Sequence, residues 1–134
     1  MKIGLIVNPL AGIGGSAGLK GSDGDKIVEL ALERGAKPKA NQRAKTVFEI
    51  LKRDNKLPEI ISAPGVMGGD ILRELGINHR EVGSLREKTS ADDTIRIARE
   101  IMDEGVDLLV FAGGDGTARN IYDAIGDKIP ALGI

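Results

Sequence analysis

The sequence predicts an α/β fold, a mostly parallel sheet with helices on both faces, and three observations predict it. Apolar runs at residues 2–8, 59–63 and 106–112 have the length and branched-chain content of buried strands. Between them lie stretches whose apolar residues recur at helical spacing, and glycine-rich turns join one kind of segment to the other. Strand and helix in alternation require right-handed crossovers, which give a parallel sheet and place ligands at the carboxyl ends of its strands.

Each element has its own justification. Residues 2–8 (KIGLIVN) form a short apolar run closed by Asn8-Pro9, a buried strand followed by a turn. Residues 25–34 read as a helix capped by Ser22 or Asp23, with Ile27, Leu30 and Ala31 on one face and Gly35 at its end. A second helix follows, because Ala44, Val47, Phe48 and Leu51 fall at i, i+3, i+4 and i+7, with Asn41 as its cap. Residues 59–63 give a strand, Pro64-Gly65 turns it, residues 70–75 form a short helix that Gly76 ends, and residues 78–82 are a weaker strand.

Residues 90–104 carry the clearest helix signal. Ser90 precedes Asp93 by three positions, close to a capping box, and Ala91, Ile95, Ala98, Ile101 and Met102 are expected to line one face before Gly105 stops the helix. Residues 106–112 (VDLLVFA) read as a strand covered on both faces. A tight glycine turn then leads into a helix over about residues 118–125, and residues 130–134 begin another strand.

Composition narrows the function. The chain has 134 residues, one domain's worth, and 19 basic against 20 acidic residues leave a formal charge of -1. Neither nucleic acid nor an anionic membrane is therefore an expected partner. Aromatic residues number only Phe48, Phe111 and Tyr122, so no base-stacking platform can be built. There is no cysteine, which removes disulfides, thiolate metal sites and cysteine nucleophiles. The longest apolar runs fall far short of the ~20 residues a membrane-spanning helix needs, and a cytoplasmic protein is expected. Glycine, at 19 residues, is about twice its usual share and gathers in residues 12–24, 65–69 and 113–116, where a backbone could approach a ligand closely.

Gly113-Gly114-Asp115-Gly116-Thr117 is the strongest local signal. Glycines around one carboxylate let N–H groups face a phosphate, and the following helix offers its positive end to the same anion. Asp115, the one acid in the turn, has two plausible tasks there: accepting a proton from an attacking hydroxyl, or orienting magnesium-bound water. The competing reading is a tight strand-to-helix turn in which Asp115 or Thr117 merely caps the helix.

The other candidates are weaker. Gly12, Gly14 and Ala17 satisfy the dinucleotide spacing GxGxxG/A, yet Pro9 separates them from the strand, and the phosphate-loop pattern is absent because Lys20 follows Leu19. Lys20, Ser22 and Asp23 place a cation, a hydroxyl and a carboxylate in one short turn that could hold a phosphate or a ribose, or could cap the next helix. Between Arg34 and Lys56, eight basic residues face only Glu49 and Asp54, which reads as a solvated helix face. His79 is the only histidine; with no cysteine and no GxSxG elbow, neither zinc nor a serine triad is expected, and a surface position is.

GGDGT after an apolar strand resembles the signature of NAD kinases and of the diacylglycerol and sphingosine kinases. The opening Ile6-Val7-Asn8-Pro9 with Ala11-Gly12, the KGSDG of residues 20–24, Ala63-Pro64-Gly65, the TSADDT of residues 89–94 and the GGDGTARN of residues 113–120 are similar, in order and spacing, to the ATP-NAD kinase branch that includes AcoX-like proteins.

The resemblance implies a three-layer Rossmann-like domain and transfer of a phosphoryl group from ATP, or polyphosphate, to the adenosine ribose 2'-hydroxyl of NAD, giving NADP, with Mg2+ accompanying the nucleotide. By the same resemblance Asp115 is the catalytic aspartate of the motif, acting as base or positioning the hydroxyl. Gly113, Gly114, Gly116 and Thr117 form the phosphate turn, and Asn8, Gly12, Lys20, Ser22, Asp23 and Asn120 belong to the nucleotide site. Family members continue into a second, β-rich domain, so residues 1–134 are expected to be an amino-terminal domain, inactive alone, of a kinase that is a homo-oligomer at full length.

Three other readings remain open at this point. One keeps phosphoryl transfer but uses a lipid or other small alcohol as acceptor. Another is a dehydrogenase-type dinucleotide domain using Gly12, Gly14 and Ala17 with Glu33 on the ribose. The third is a non-catalytic module that senses nucleotides or forms oligomers.

Overall fold

The computed structural model describes residues 1–10, 39–85 and 90–134. The expected helix over residues 25–34 and the candidate residues Gly12, Lys20, Ser22 and Asp23 lie outside the described residues. In chain order the described elements are β1 (Lys2–Val7), α1 (Ala40–Arg53), β2 (Glu59–Ser62), a 3-10 turn (Gly65–Met67), α2 (Gly69–Glu74), β3 (Arg80–Glu81), α3 (Ala91–Asp103), β4 (Leu108–Ala112), α4 (Asp115–Ile125) and β5 (Ala131–Gly133).

The strands form one sheet in the order β3-β2-β1-β4-β5, and every pairing is parallel. Alternation along the strands explains the layers. Ile3, Leu5 and Val7 of β1, with Ile60 of β2 and Val110 and Ala112 of β4, face α1 and α2 through Ala40, Ala44, Phe48, Ile71 and Leu72. Ile6, Ile61 and Leu109 face the other way, against Ile97, Ala98 and Ile101 of α3 and Ile121, Ala124 and Ile125 of α4. Each large apolar side chain buried this way contributes roughly 1.5–3 kcal/mol. Gly4 is part of this packing, since a Cβ there would lie 2.9 Å from Leu109 Cδ1 and press on Ile101 of α3.

Several expectations are met closely. Ser90 caps α3 by a full capping box with Asp93: the Asp93 N–H donates to Ser90 Oγ, and the Ser90 N–H donates to Asp93 Oδ2 at 2.9 Å. Ser90→Ala removes that cap and is expected to cost about 1 kcal/mol, read as a lower midpoint in thermal or urea unfolding. Gly105, at φ +81°, follows α3 in the left-handed conformation that ends a helix.

Others are corrected. Asn41 is no cap: α1 begins at Ala40, its N-cap is Lys39, and no side chain caps it. The buried stripe of α3 is Thr94, Ile97, Ala98 and Ile101, while Ala91 is exposed and Ile95 and Met102 are half-buried. The capping box draws Asp93 inward, where Arg96 also meets it, so the first turn buries Asp93 and Thr94 rather than Ala91, while Ile95 and Met102 still pack against the core beside Ala98 and Ile101. β4 starts at Leu108, because Asp107 turns its carboxylate back to accept from the Lys2 N–H at 2.8 Å.

His79 is no surface residue. Its side chain is 7% exposed, with Nδ1 2.8 Å from the Ile77 carbonyl and Nε2 3.0 Å from Glu81 Oε2. Glu81 also pairs with Arg73 and accepts from the Gly65 N–H at 2.9 Å, so it fixes the turn that follows β2. Burial pushes the Glu81 carboxyl up, but the Gly65 N–H, His79 and Arg73 together hold it below the usual carboxylate range.

Candidate functional site

β1 lies at the centre of the sheet, with β2 and β3 to one side and β4 and β5 to the other. The chain therefore reverses its direction of winding between β1 and β4, and their carboxyl ends diverge into the crevice where open α/β sheets take ligands. Asn8 follows β1 at that crevice, and Gly113 and Gly114 follow β4. The register aligns Val7 with Ala112, so the two candidate segments leave the sheet side by side.

A short hydrogen-bond chain joins them. The Asn8 N–H donates to the Ala112 carbonyl at 2.9 Å, and Asn8 Nδ2 donates to Thr117 Oγ1 at 3.0 Å. Asn8 Oδ1 accepts from the Leu10 N–H at 3.1 Å, which bends the backbone out of the strand. Thr117 is 3% exposed, turned inward by this contact. Asn8 and Thr117 thus tie the end of β1 to the first turn of α4.

The glycine motif differs in local form from the expected turn followed by a helix at about residue 118. α4 begins at Asp115, so Gly114 is its N-cap and Asp115, Gly116 and Thr117 make its first turn. No side chain caps this helix, which removes the reading of Asp115 or Thr117 as a mere cap. The first-turn N–H groups carry the positive end of the helix dipole without a side-chain partner.

The two leading glycines do different work. At Gly113 a Cβ would stand 2.5 Å from Thr117 Cβ and 2.7 Å from its Cγ2, so only glycine allows Thr117 to fold back on the strand end. At Gly114 a Cβ would meet nothing within 4 Å among the described residues. Gly114, Asp115 and Gly116 are exposed, Gly113 is half-buried, and Asn120 stands half-buried about one turn further along α4. Asp115 therefore stands exposed at the mouth of the crevice, beside first-turn N–H groups that no side chain caps among the described residues. That combination attracts a multiply charged anion and places one acid next to it.

Arg43 of α1 was not among the residues the sequence singled out. It had been counted with the solvated basic face, but it is half-buried and reaches the motif: Nη2 donates to the Gly113 carbonyl at 3.2 Å and Nε to the main-chain oxygen of Ile134 at 3.1 Å. The one available sequence signal was the local excess of positive charge. Among the described residues there is no group of three His, Cys, Asp or Glu side chains that could hold a metal ion, and no helix is long and apolar enough to cross a membrane.

Comparison with known proteins adds one finding. The family model of the ATP-NAD kinase N-terminal domain matches residues 3–134, essentially the whole chain. No curated protein and no solved structure matches it.

Proposed function

Because the chain belongs to the ATP-NAD kinase N-terminal domain family, we propose that the crevice between β1 and β4 binds nucleotide phosphates for transfer of a phosphoryl group from ATP, or polyphosphate, to the adenosine ribose 2'-hydroxyl of NAD. The observation that carries this reading is the uncapped first turn of α4, opening at the switch point of the sheet with Gly114 clear of neighbours and Asp115 exposed beside it. The N–H groups of residues 114–117 receive the phosphates. Thr117 contributes its backbone, since its side chain is held by Asn8.

In the transfer, a bond forms between the ribose oxygen and the terminal phosphorus while the bond from that phosphorus to the bridging oxygen breaks and ADP departs. Asp115 takes the hydroxyl proton or holds the acceptor in line. A magnesium ion, which offsets phosphate charge in such reactions, is commonly held by one or two carboxylates with the phosphates supplying further oxygens. The single exposed carboxylate of Asp115 fits that need. Asn120, Gly12, Lys20, Ser22 and Asp23 complete the proposed nucleotide site.

The test is titration of the 15N-labelled chain with Mg-ATP. Shifts are expected first at the amides of residues 114–116. Gly114→Val is expected to weaken ATP binding by about tenfold or more by filling the open space, while changing stability by no more than about 1 kcal/mol. Equal ATP affinity before and after that change places the phosphates elsewhere and overturns the reading.

A further inference from the structure

We propose that Arg43 is a positioning residue that locks the Gly113–Gly114 peptide, so that the Gly114 N–H faces the crevice and the phosphates bound there. The inference rests on the nucleotide reading for its ligand but not for its geometry. A peptide between two glycines has no side chain to restrain it and rotates more readily than any other. In a trans peptide the carbonyl and the following N–H point in opposite directions. Whatever fixes the Gly113 carbonyl therefore also fixes the direction of the Gly114 N–H.

Arg43 is built to do this. It sits in the first turn of α1, where its own N–H donates to the Lys39 carbonyl at 3.0 Å. Its planar guanidinium spans two main-chain oxygens, Gly113 at 3.2 Å through Nη2 and Ile134 at 3.1 Å through Nε. Two anchors on one rigid plane define an orientation, which a single flexible ammonium cannot do. With the Gly113 carbonyl drawn toward Arg43, the Gly114 N–H is turned away from it. Gly114 is exposed, and among the described residues nothing stands within 4 Å of the place where its Cβ would be, so a ligand can approach this residue closely.

Charge strengthens the arrangement. Among the described residues Arg43 has no Asp or Glu side chain as a partner; it bonds the main-chain oxygens of Gly113 and of Ile134, the last residue of the sequence. Its positive charge lies on the Gly113 side of the positive end of α4.

The experiment uses the 15N-labelled chain, Arg43→Met and Arg43→Lys, with Mg-ATP as probe. In Arg43→Met the Gly114 amide is expected to broaden or split in the ligand-free protein while the amides of Ile121 and Tyr122 stay in place, and ATP affinity is expected to fall about tenfold. Arg43→Lys keeps the charge without the planar fork, so it is expected to disturb the Gly114 amide in the same way with a smaller loss of affinity. A Gly114 amide identical to wild type in either folded variant overturns the proposal. Its failure is distinct from that of the nucleotide reading: if the wild-type chain takes no ATP, that reading fails while the Gly114 amide still judges the clamp. If ATP binds and the Arg43→Met amide is unchanged, the clamp fails and the nucleotide reading stands.

Discussion

Asp115→Asn is expected to lower NADP formation by roughly 10²- to 10⁴-fold, the range that a positioned acid or base supplies, in the protein that carries this domain in its active form. The substitution keeps the shape of the side chain and removes its charge and its ability to take a proton. Because Asp115 is exposed in the first turn of α4, the change costs only about 0.3–1 kcal/mol of favourable interaction with the helix dipole, and the fold survives. Nucleotide affinity is set mainly by backbone N–H groups and should change little. The measurement is kcat and KM for NADP production, wild type against variant. Loss confined to kcat supports a group acting in the transition state, and unchanged turnover excludes Asp115 as the reacting acid. The two tasks separate further: a base loses the acidic limb of the pH profile, whereas a metal-orienting carboxylate raises the magnesium requirement.

Gly113→Ala is expected to be the most damaging single-methyl change near the site. The added carbon meets Thr117 Cβ at 2.5 Å, an atom fixed on the α4 backbone that cannot swing aside as a flexible side chain would. Relief requires moving the helix start, which also breaks the Asn8–Thr117 hydrogen bond. Overpacking of about 1–3 kcal/mol plus the lost hydrogen bond of about 1 kcal/mol lowers the melting midpoint by roughly 10 °C. Gly114→Ala, in open space one residue on, is expected to melt within a few degrees of wild type. Equal midpoints for the two variants in scanning calorimetry contradict the assignment of packing to Gly113 and access to Gly114.

The order of elements was legible because β1, β2 and β4 come from apolar runs ended by Asn-Pro, Pro-Gly or Gly-Gly, and because Ser90 with Asp93 is a capping signal carried entirely within four residues. The candidate crevice was legible for the same local reason: GGDGT marks itself. What escaped the sequence depends on contacts between distant segments. Arg43 looked like one basic residue among eight because its acceptor, the Gly113 carbonyl, lies 70 positions away. His79 looked exposed because Glu81 and the Ile77 carbonyl, though close in sequence, enclose it only once β3 has joined the sheet. The start of α4 was placed late because glycine weakens a helix on average, yet in a solvent-facing first turn that cost is small and leaves the N–H groups uncovered. Ala91 of α3 was misplaced, because the first turn buries Asp93 instead, an exception to hydrophobic periodicity that its partners explain.

The bond between Asn8 and Thr117 joins positions 109 apart, near the two ends of the sequence. β1 can pair with β2 early, but the second wall of the crevice needs β4 and the first turn of α4, which lie far along the chain from Asn8. The candidate crevice thus assembles by closing a long loop, the slow kind of step in folding. Without β4 and α4 only one wall of the candidate crevice exists, so its formation is coupled to completion of the central sheet.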